Sequence, residues 1–476
     1  MIRNLIIITI LGFCTSTAAS SLLSGVVQKD VQYSLTEIKL GRQFIRSARS
    51  QLAFVSDPEI ASYIEGLGDR LLGPTGLSRS KFQFSVIDDD NLNAFAVPGG
   101  WISVHTGLIT RTDSESELAS VLAHEIAHIT QRHLPRTFER AEQRTLPAVA
   151  AMMGAILVGG QIGSAALVGA NAAVVADQLK YSREFEKEAD AIGLELLSKG
   201  EFDVHAMPRF FLKLQKTSEL HASNVPEYLR THPLSISRIA DSESRVGAFP
   251  ATEVATNAEF LHIRARIRAL SGDSSLKKAD MFRQQIIDSV DAEKSHLIYG
   301  EAMAAMKVAQ YDRSRGLIES LLIKNPDSLR YGLGYAQIEL SAGNISGALR
   351  RLEKMRDSFS DHPVVLHYYA EALLAAQQFT DARRVLRQLE RKTPNNANVH
   401  SMMSRVNGEL GHLAQAFMSR AQFFILRYRL PEAEKELVKA LEHAGESYYL
   451  RSSIEAKQEE INDLMRRYDE RPKSIS

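Results

Sequence analysis

Small residues recur at a spacing of about 34 in the second half of the chain. Ala302, Ala336 and Ala370 form one series and Ala348 and Ala382 a second, while Tyr311, Ile345 and Phe379 keep step with prolines at Pro326, Pro363 and Pro394. That period is too long for one helix or strand and fits a packed helix pair, in which small side chains let two axes approach. Such units bury their apolar faces only against neighbours, so the region must fold as a stack. A further unit, 421–440 with Ala433, follows after an irregular one. At 476 residues the chain has room for two to four domains, and residues 247–257 read as a linker ahead of the array.

The recurring pattern resembles the tetratricopeptide repeat, which makes 258–470 a helical docking domain for other proteins. Nucleic acid is not expected as a partner, because 57 basic residues are matched by 57 acidic ones. At the other end, Arg3 precedes an apolar run, 5–13, and then small residues, as in a secretory signal peptide cleaved near Ala18 or Ala19. The run is too short to span a bilayer. Residues 1–19 are therefore expected to leave, and with them Cys14, the single cysteine. A lipid-anchored Cys14 is the alternative, which bulky Phe13 directly before it disfavours. The mature chain then has no thiol, so a metal site must be built from imidazoles and carboxylates.

Between leader and repeats, 36–72 carries apolar residues at helical spacing: Ile38, Phe44, Leu52, Ile60, Ile64, Leu67 and Leu71. Residues 82–87 alternate apolar and polar, 88–91 are turn-rich, and 94–106 are extended apart from Pro98-Gly99-Gly100. This predicts two strands with a hairpin-like connection. Residues 114–134 read as one amphipathic helix capped by Asp113 or Ser114. Residues 146–176 contain no charge but many alanines and glycines, and are expected to form a helical hairpin covering the site rather than a membrane span. The fold class is thus mainly α (α+β), a catalytic domain at 20–250 with a small sheet, followed by the repeat array.

Residues 121–130 read Val-Leu-Ala-His-Glu-Ile-Ala-His-Ile-Thr. His124 and His128 lie one helical turn apart, about 40° from eclipsed, so both imidazoles can reach one metal. Glu125 flanks that row, where a base for a metal-activated water belongs. A catalytic zinc needs a third protein ligand and an open position. His133 would lie about 180° around a continuous helix, and no glycine is near to swing it back, so it reads as a surface or core histidine. Downstream, 181–190 offers acids four apart as Glu184/Glu188 or Glu186/Asp190, and spacing alone does not choose between the pairs. Acids left unused would form a solvated helix face.

The His-Glu-Ile-Ala-His motif, Glu186-Lys-Glu-Ala-Asp190, Asn93-Ala-Phe-Ala-Val-Pro-Gly-Gly100, and Thr231-His-Pro233 with Arg238 together resemble the HtpX and CAAX-prenyl-protease-like zinc peptidases. The resemblance implies a zincin-type domain with one zinc per subunit on His124, His128 and Glu186. It implies Glu125 as general base and acid, Asp190 orienting a ligating imidazole, and His232 near the metal, gating the site or stabilising the transition state. Arg238 would sit close by to offset oxyanion charge. Asn93, Ala94 and Phe95 would hold substrate by strand addition. With the leader and repeats, the resemblance implies a periplasmic endopeptidase, peripheral to the outer membrane, that degrades stalled or misfolded outer-membrane proteins and assists their assembly. Its repeats would dock the assembly machinery. The rival is a chaperone or scaffold working through the repeats over a mostly closed protease site; a membrane-integral protease using 146–176 is the third reading.

Overall fold

The computed structural model describes residues 31–140, 183–220, 226–249, 257–272, 276–289 and 294–468. The leader, residues 146–176 and most of the expected linker lie outside them. Among the described residues no helix is long and apolar enough to cross a membrane.

The first two helices, Leu35–Gln51 and Pro58–Leu72, are fixed at their starts by side-chain caps. Ser34 and Glu37 form a reciprocal capping box, and the Asp57 carboxylate accepts the N–H groups of Glu59 and Ile60. A three-stranded sheet follows, in the order β1 (Gln83–Ile87), β3 (Trp101–His105), β2 (Ala94–Val97). β1 runs parallel to β3, and β2 antiparallel to β3 at the edge. The hairpin therefore lies at Pro98-Gly99-Gly100 rather than at 88–91, and there are three strands rather than two. Both glycines have φ of 90°, and a Cβ on Gly100 would collide with the Lys81 carbonyl, so the tight return requires glycine.

One apolar core joins Ile64, Leu67, Val104, Leu118, Leu122, Ile126, Leu194 and Phe210, uniting sheet and helices around the motif helix, Glu115–Thr130. This helix is buried on all sides, and Ser114 caps it by accepting the Glu117 N–H.

Beyond Ala258–Leu270 and Leu276–Asp288, the helix pairs repeat strictly. First helices begin at Ser295, Leu329, Pro363 and Ala397, and second helices at Tyr311, Ile345, Phe379 and Leu413. Ala302, Ala336, Ala370, Ala348 and Ala382 are fully buried, as close helix packing requires. The unit that looked irregular is regular: Ala397–Glu409 and Leu413–Leu426 keep the register. The turns between partners place Ala309, Gly343, Gln377 and Gly411 at positive φ, one left-handed residue per repeat.

The array grips the catalytic part at both ends. Near its start, buried Arg266 donates to Asp57, Tyr299, Gln337 and Tyr368 and lies 3.0 Å from Glu59. Near its far end, the Trp101 indole donates to the Tyr428 hydroxyl at 2.9 Å, and that hydroxyl donates to Gln83 at 3.1 Å.

Candidate metal centre

Three segments meet at the motif helix. His124 and His128 project from successive turns, with ring centroids 4.5 Å apart. Helix Arg183–Lys199 crosses closely at Gly193, where a Cβ would come 3.4 Å from the His124 backbone nitrogen and crowd Met207. That approach brings Glu186 and Asp190 against the imidazoles. The third segment lies between helices Glu227–Thr231 and Ile236–Val246 and carries His232, only 2% exposed.

The donor atoms converge. His124 Nε2 lies 2.9 Å from His128 Nε2 and 3.5 Å from Glu186 Oε2, while His128 Nε2 lies 3.5 Å from Glu186 Oε1. His232 Nδ1 stands 3.4 Å from His124 Nε2 and 3.2 Å from Glu186 Oε1. Four donors arranged tetrahedrally around zinc at 2.0–2.1 Å have edges of about 3.3 Å, so the spacing fits one small divalent ion. Glu125 lies beside this group, fully buried, and neither of its carboxylate oxygens finds a hydrogen-bond partner among the described residues. His232 Nε2 approaches it to 3.4 Å. Burial raises the Glu125 pKa above the usual carboxylate range.

The groups behind the donors are paired. Asp190 Oδ1 lies 3.0 Å from His124 Nδ1, the position that orients a ligating imidazole through its other nitrogen. Burial opposes the charged ring of His124, but Asp190 and Glu186 beside it carry its pKa up to about 9. Burial likewise opposes the Glu186 anion, yet the Arg238 guanidinium and His232 hold it well below the ordinary value.

Arg238 sits close by the donor group, on its two acids. Its Nε and Nη2 donate to Asp190 at 2.8 and 2.7 Å, and its Nη1 serves Glu186 at 2.6 Å and the Pro233 carbonyl at 3.0 Å. The guanidinium thus braces Glu186 and Asp190 together.

Of the acid pairs left open by spacing, Glu186/Asp190 faces the imidazoles and Glu184 is exposed. Glu188 is not on a merely solvated face: its carboxylate accepts from Arg136 at 3.1 Å and lies 3.1 Å from His133 Nε2. His133 also departs from the expected geometry, since the motif helix ends at Thr130 and Arg132 adopts φ of 51°. The turn needs no glycine because Glu37 holds the Arg132 guanidinium at 3.0 and 3.2 Å. Tyr228, which no sequence pattern marked, packs its ring 4.7 Å from that of His232. The side chains of Asn93, Ala94 and Phe95 are fully buried, so substrate would meet only the backbone edge of β2. A narrow cleft lined by Ala96, Val97, Pro98, His128 and Arg132 runs beside that edge.

Comparison with known proteins places the chain in a family. Residues 58–246 match peptidase family M48 and residues 339–406 match the tetratricopeptide repeat. The putative beta-barrel assembly-enhancing protease of Vibrio cholerae serotype O1 is 34% identical over 399 residues, covering 82% of this chain and 81% of that one. The chain belongs to the beta-barrel assembly-enhancing proteases of family M48. Its relative in Escherichia coli K12 is 31% identical over 441 residues, 91% of this chain and 89% of that one. The mitochondrial metalloendopeptidase OMA1 of Schizosaccharomyces pombe shares 32% identity over 182 residues, 38% of this chain and 51% of that protein. As an M48 peptidase this chain is a metal-dependent endopeptidase with appended protein-binding repeats. The resemblance drawn from its motifs and the mainly helical class with a small sheet are both borne out.

Proposed function

We propose that this M48 peptidase is a periplasmic zinc endopeptidase that cleaves misfolded or stalled outer-membrane proteins and assists their assembly. The observation that carries the reading is the meeting of four metal-ligating side chains beside the fully buried carboxylate of Glu125. His124, His128 and Glu186 would hold one zinc per chain, and bound zinc supplies Lewis acidity toward water and a scissile carbonyl. Glu125 removes the proton of the attacking water and delivers it to the leaving nitrogen, and burial, by raising its pKa, favours its holding that proton between the two steps. Asp190 orients His124, and Arg238 keeps Glu186 and Asp190 ionised and in place. The outer backbone edge of β2 aligns an extended substrate beside His128.

The relatives' names, which speak of beta-barrel assembly, support the substrate class. The division into a leader at 1–19, a protease at 20–250 and a docking domain at 258–470 is part of this reading, as is binding of the assembly machinery by the repeats. Membrane contact, on this reading, is peripheral. Purified Glu125→Gln protein is expected to retain zinc and lose cleavage of an unfolded outer-membrane β-barrel protein. Unchanged cleavage would overturn the assigned base.

The position of His232 favours a second reading. With Nδ1 3.4 Å from His124 Nε2 and 3.2 Å from Glu186 Oε1, it would take the place a water or carbonyl needs on a bound ion and close the resting site. Withdrawal of the His232-Pro233 loop would open that corner and free the imidazole to offset oxyanion charge. A chain that stays closed would act as a scaffold through its repeats. Full support of outer-membrane assembly by Glu125→Gln in cells would favour the scaffold, and its failure the peptidase.

A further inference from the structure

The turn after the motif helix gives His128 a partner of its own. His133 Nδ1 lies 2.8 Å from His128 Nδ1, and His133 Nε2 lies 3.1 Å from Glu188 Oε2. His133 is wholly buried, and its ring stacks on Phe185 at 4.6 Å and 11°. The Nε2 of His128 faces the other three donors.

The protons along this line follow from the geometry. If His128 gives its Nε2 lone pair to a metal, its proton sits on Nδ1. Two nitrogens 2.8 Å apart share one proton, because N–H facing N–H would repel. His133 Nδ1 must therefore accept, which leaves the proton of its neutral ring on Nε2, facing the Glu188 carboxylate. One proton in each of the two contacts then satisfies both. If Glu188 is removed, the carboxylate that holds the His133 proton on Nε2 is lost. Its move to Nδ1 would force the His128 proton onto Nε2, where the ring can no longer ligate.

We propose that His133, held by Glu188, is the positioning residue that locks His128 in its metal-binding tautomer. This rests on the reading of His128 as a ligand. The two imidazoles of the motif are then served differently: His124 has the Asp190 carboxylate directly behind it, whereas His128 receives its carboxylate one ring removed. Partners of this kind are worth about 10–100-fold in metal affinity, and the relayed one is expected toward the lower end of that range.

The test is zinc affinity of the full-length protein, measured by competition with a chromophoric chelator at neutral pH. His133→Phe keeps the stack on Phe185 but removes the acceptor, and is expected to bind zinc about 10-fold or more weakly. His133→Gln supplies an amide oxygen toward His128 and an amide N–H toward Glu188, and is expected to recover most of the loss. Glu188→Leu changes a half-buried side chain and is expected to weaken zinc binding in the same direction, so the proposal stays testable if His133→Phe does not fold. Wild-type affinity in folded His133→Phe or in Glu188→Leu overturns the proposal, as does equal weakening in the Phe and Gln variants. His128→Ala separates the two layers: unchanged zinc affinity there refutes the ligand reading itself, whereas a loss there with none in Glu188→Leu refutes the tautomer lock alone.

Discussion

Two of the buried charge clusters, around Arg266 and around His124, are built on opposite principles. Around Arg266 every donor meets an acceptor: Asp57 at 2.7 Å, the Tyr299 hydroxyl at 2.7 Å, Gln337 at 2.8 Å, Tyr368 at 2.9 Å, and Glu59 at 3.0 Å. Around His124 the innermost atoms are the ring nitrogens of His124, His128 and His232 and the carboxylate of Glu186, all able to offer lone pairs to one ion, with Asp190 behind His124 and the Arg238 guanidinium on Glu186 and Asp190. A buried ionic cluster that closes on itself ties two parts of a fold together. One whose centre is rich in acceptors is complete only with a cation.

The largest effect that separates the two clusters is on stability. Arg266→Met leaves Asp57 and Glu59 buried without their counter-ion and is expected to destabilise the protein by about 3–5 kcal/mol in denaturant unfolding. A loss below about 1 kcal/mol would mean that the junction is wetter or looser than its hydrogen bonds indicate.

A smaller effect concerns pH at the same junction. His262 lies 3.1 Å from the Tyr331 hydroxyl and against the Ala258 carbonyl, and burial, reinforced by Arg330, lowers its pKa to about 3. Since the unfolded value is about 6.5, the neutral folded ring contributes stability that is fully present above about pH 6.5 and lost as pH falls toward 3. From pH 7 to pH 5 the loss from this group is about 2 kcal/mol. His262→Gln is expected to lack that component, so the stability difference between it and the parent should vary with pH by this amount. Parallel curves would remove His262 from the account.

The comparison also shows what a sequence reveals of such clusters. His124, Glu125 and His128 are legible because a single helix sets their geometry, and helical periodicity needs no tertiary information. Glu186 was open between two pairs because the choice depends on how helix Arg183–Lys199 rotates against the motif helix, and Gly193 settles that contact. His133 was misplaced because a non-glycine residue, Arg132, turns the chain, and the salt bridge to Glu37 that supports it comes from a distant helix. The neighbourhood of Arg238 follows from the motif, but its hydrogen bonds to Asp190 and Glu186 do not. The repeats were legible through their alanines. The unit at 397–426 was hidden because Ser404 stands where Ala302, Ala336 and Ala370 set the pattern, although its helices keep the period.

The most direct test of the acceptor-rich cluster is X-ray absorption at the zinc edge on the purified full-length protein. The account predicts one zinc per chain with four nitrogen or oxygen neighbours at about 2.0–2.1 Å and no sulfur, and loss of that signature in His124→Ala. A sulfur neighbour, a six-oxygen shell, or an unchanged spectrum in the variant would contradict it.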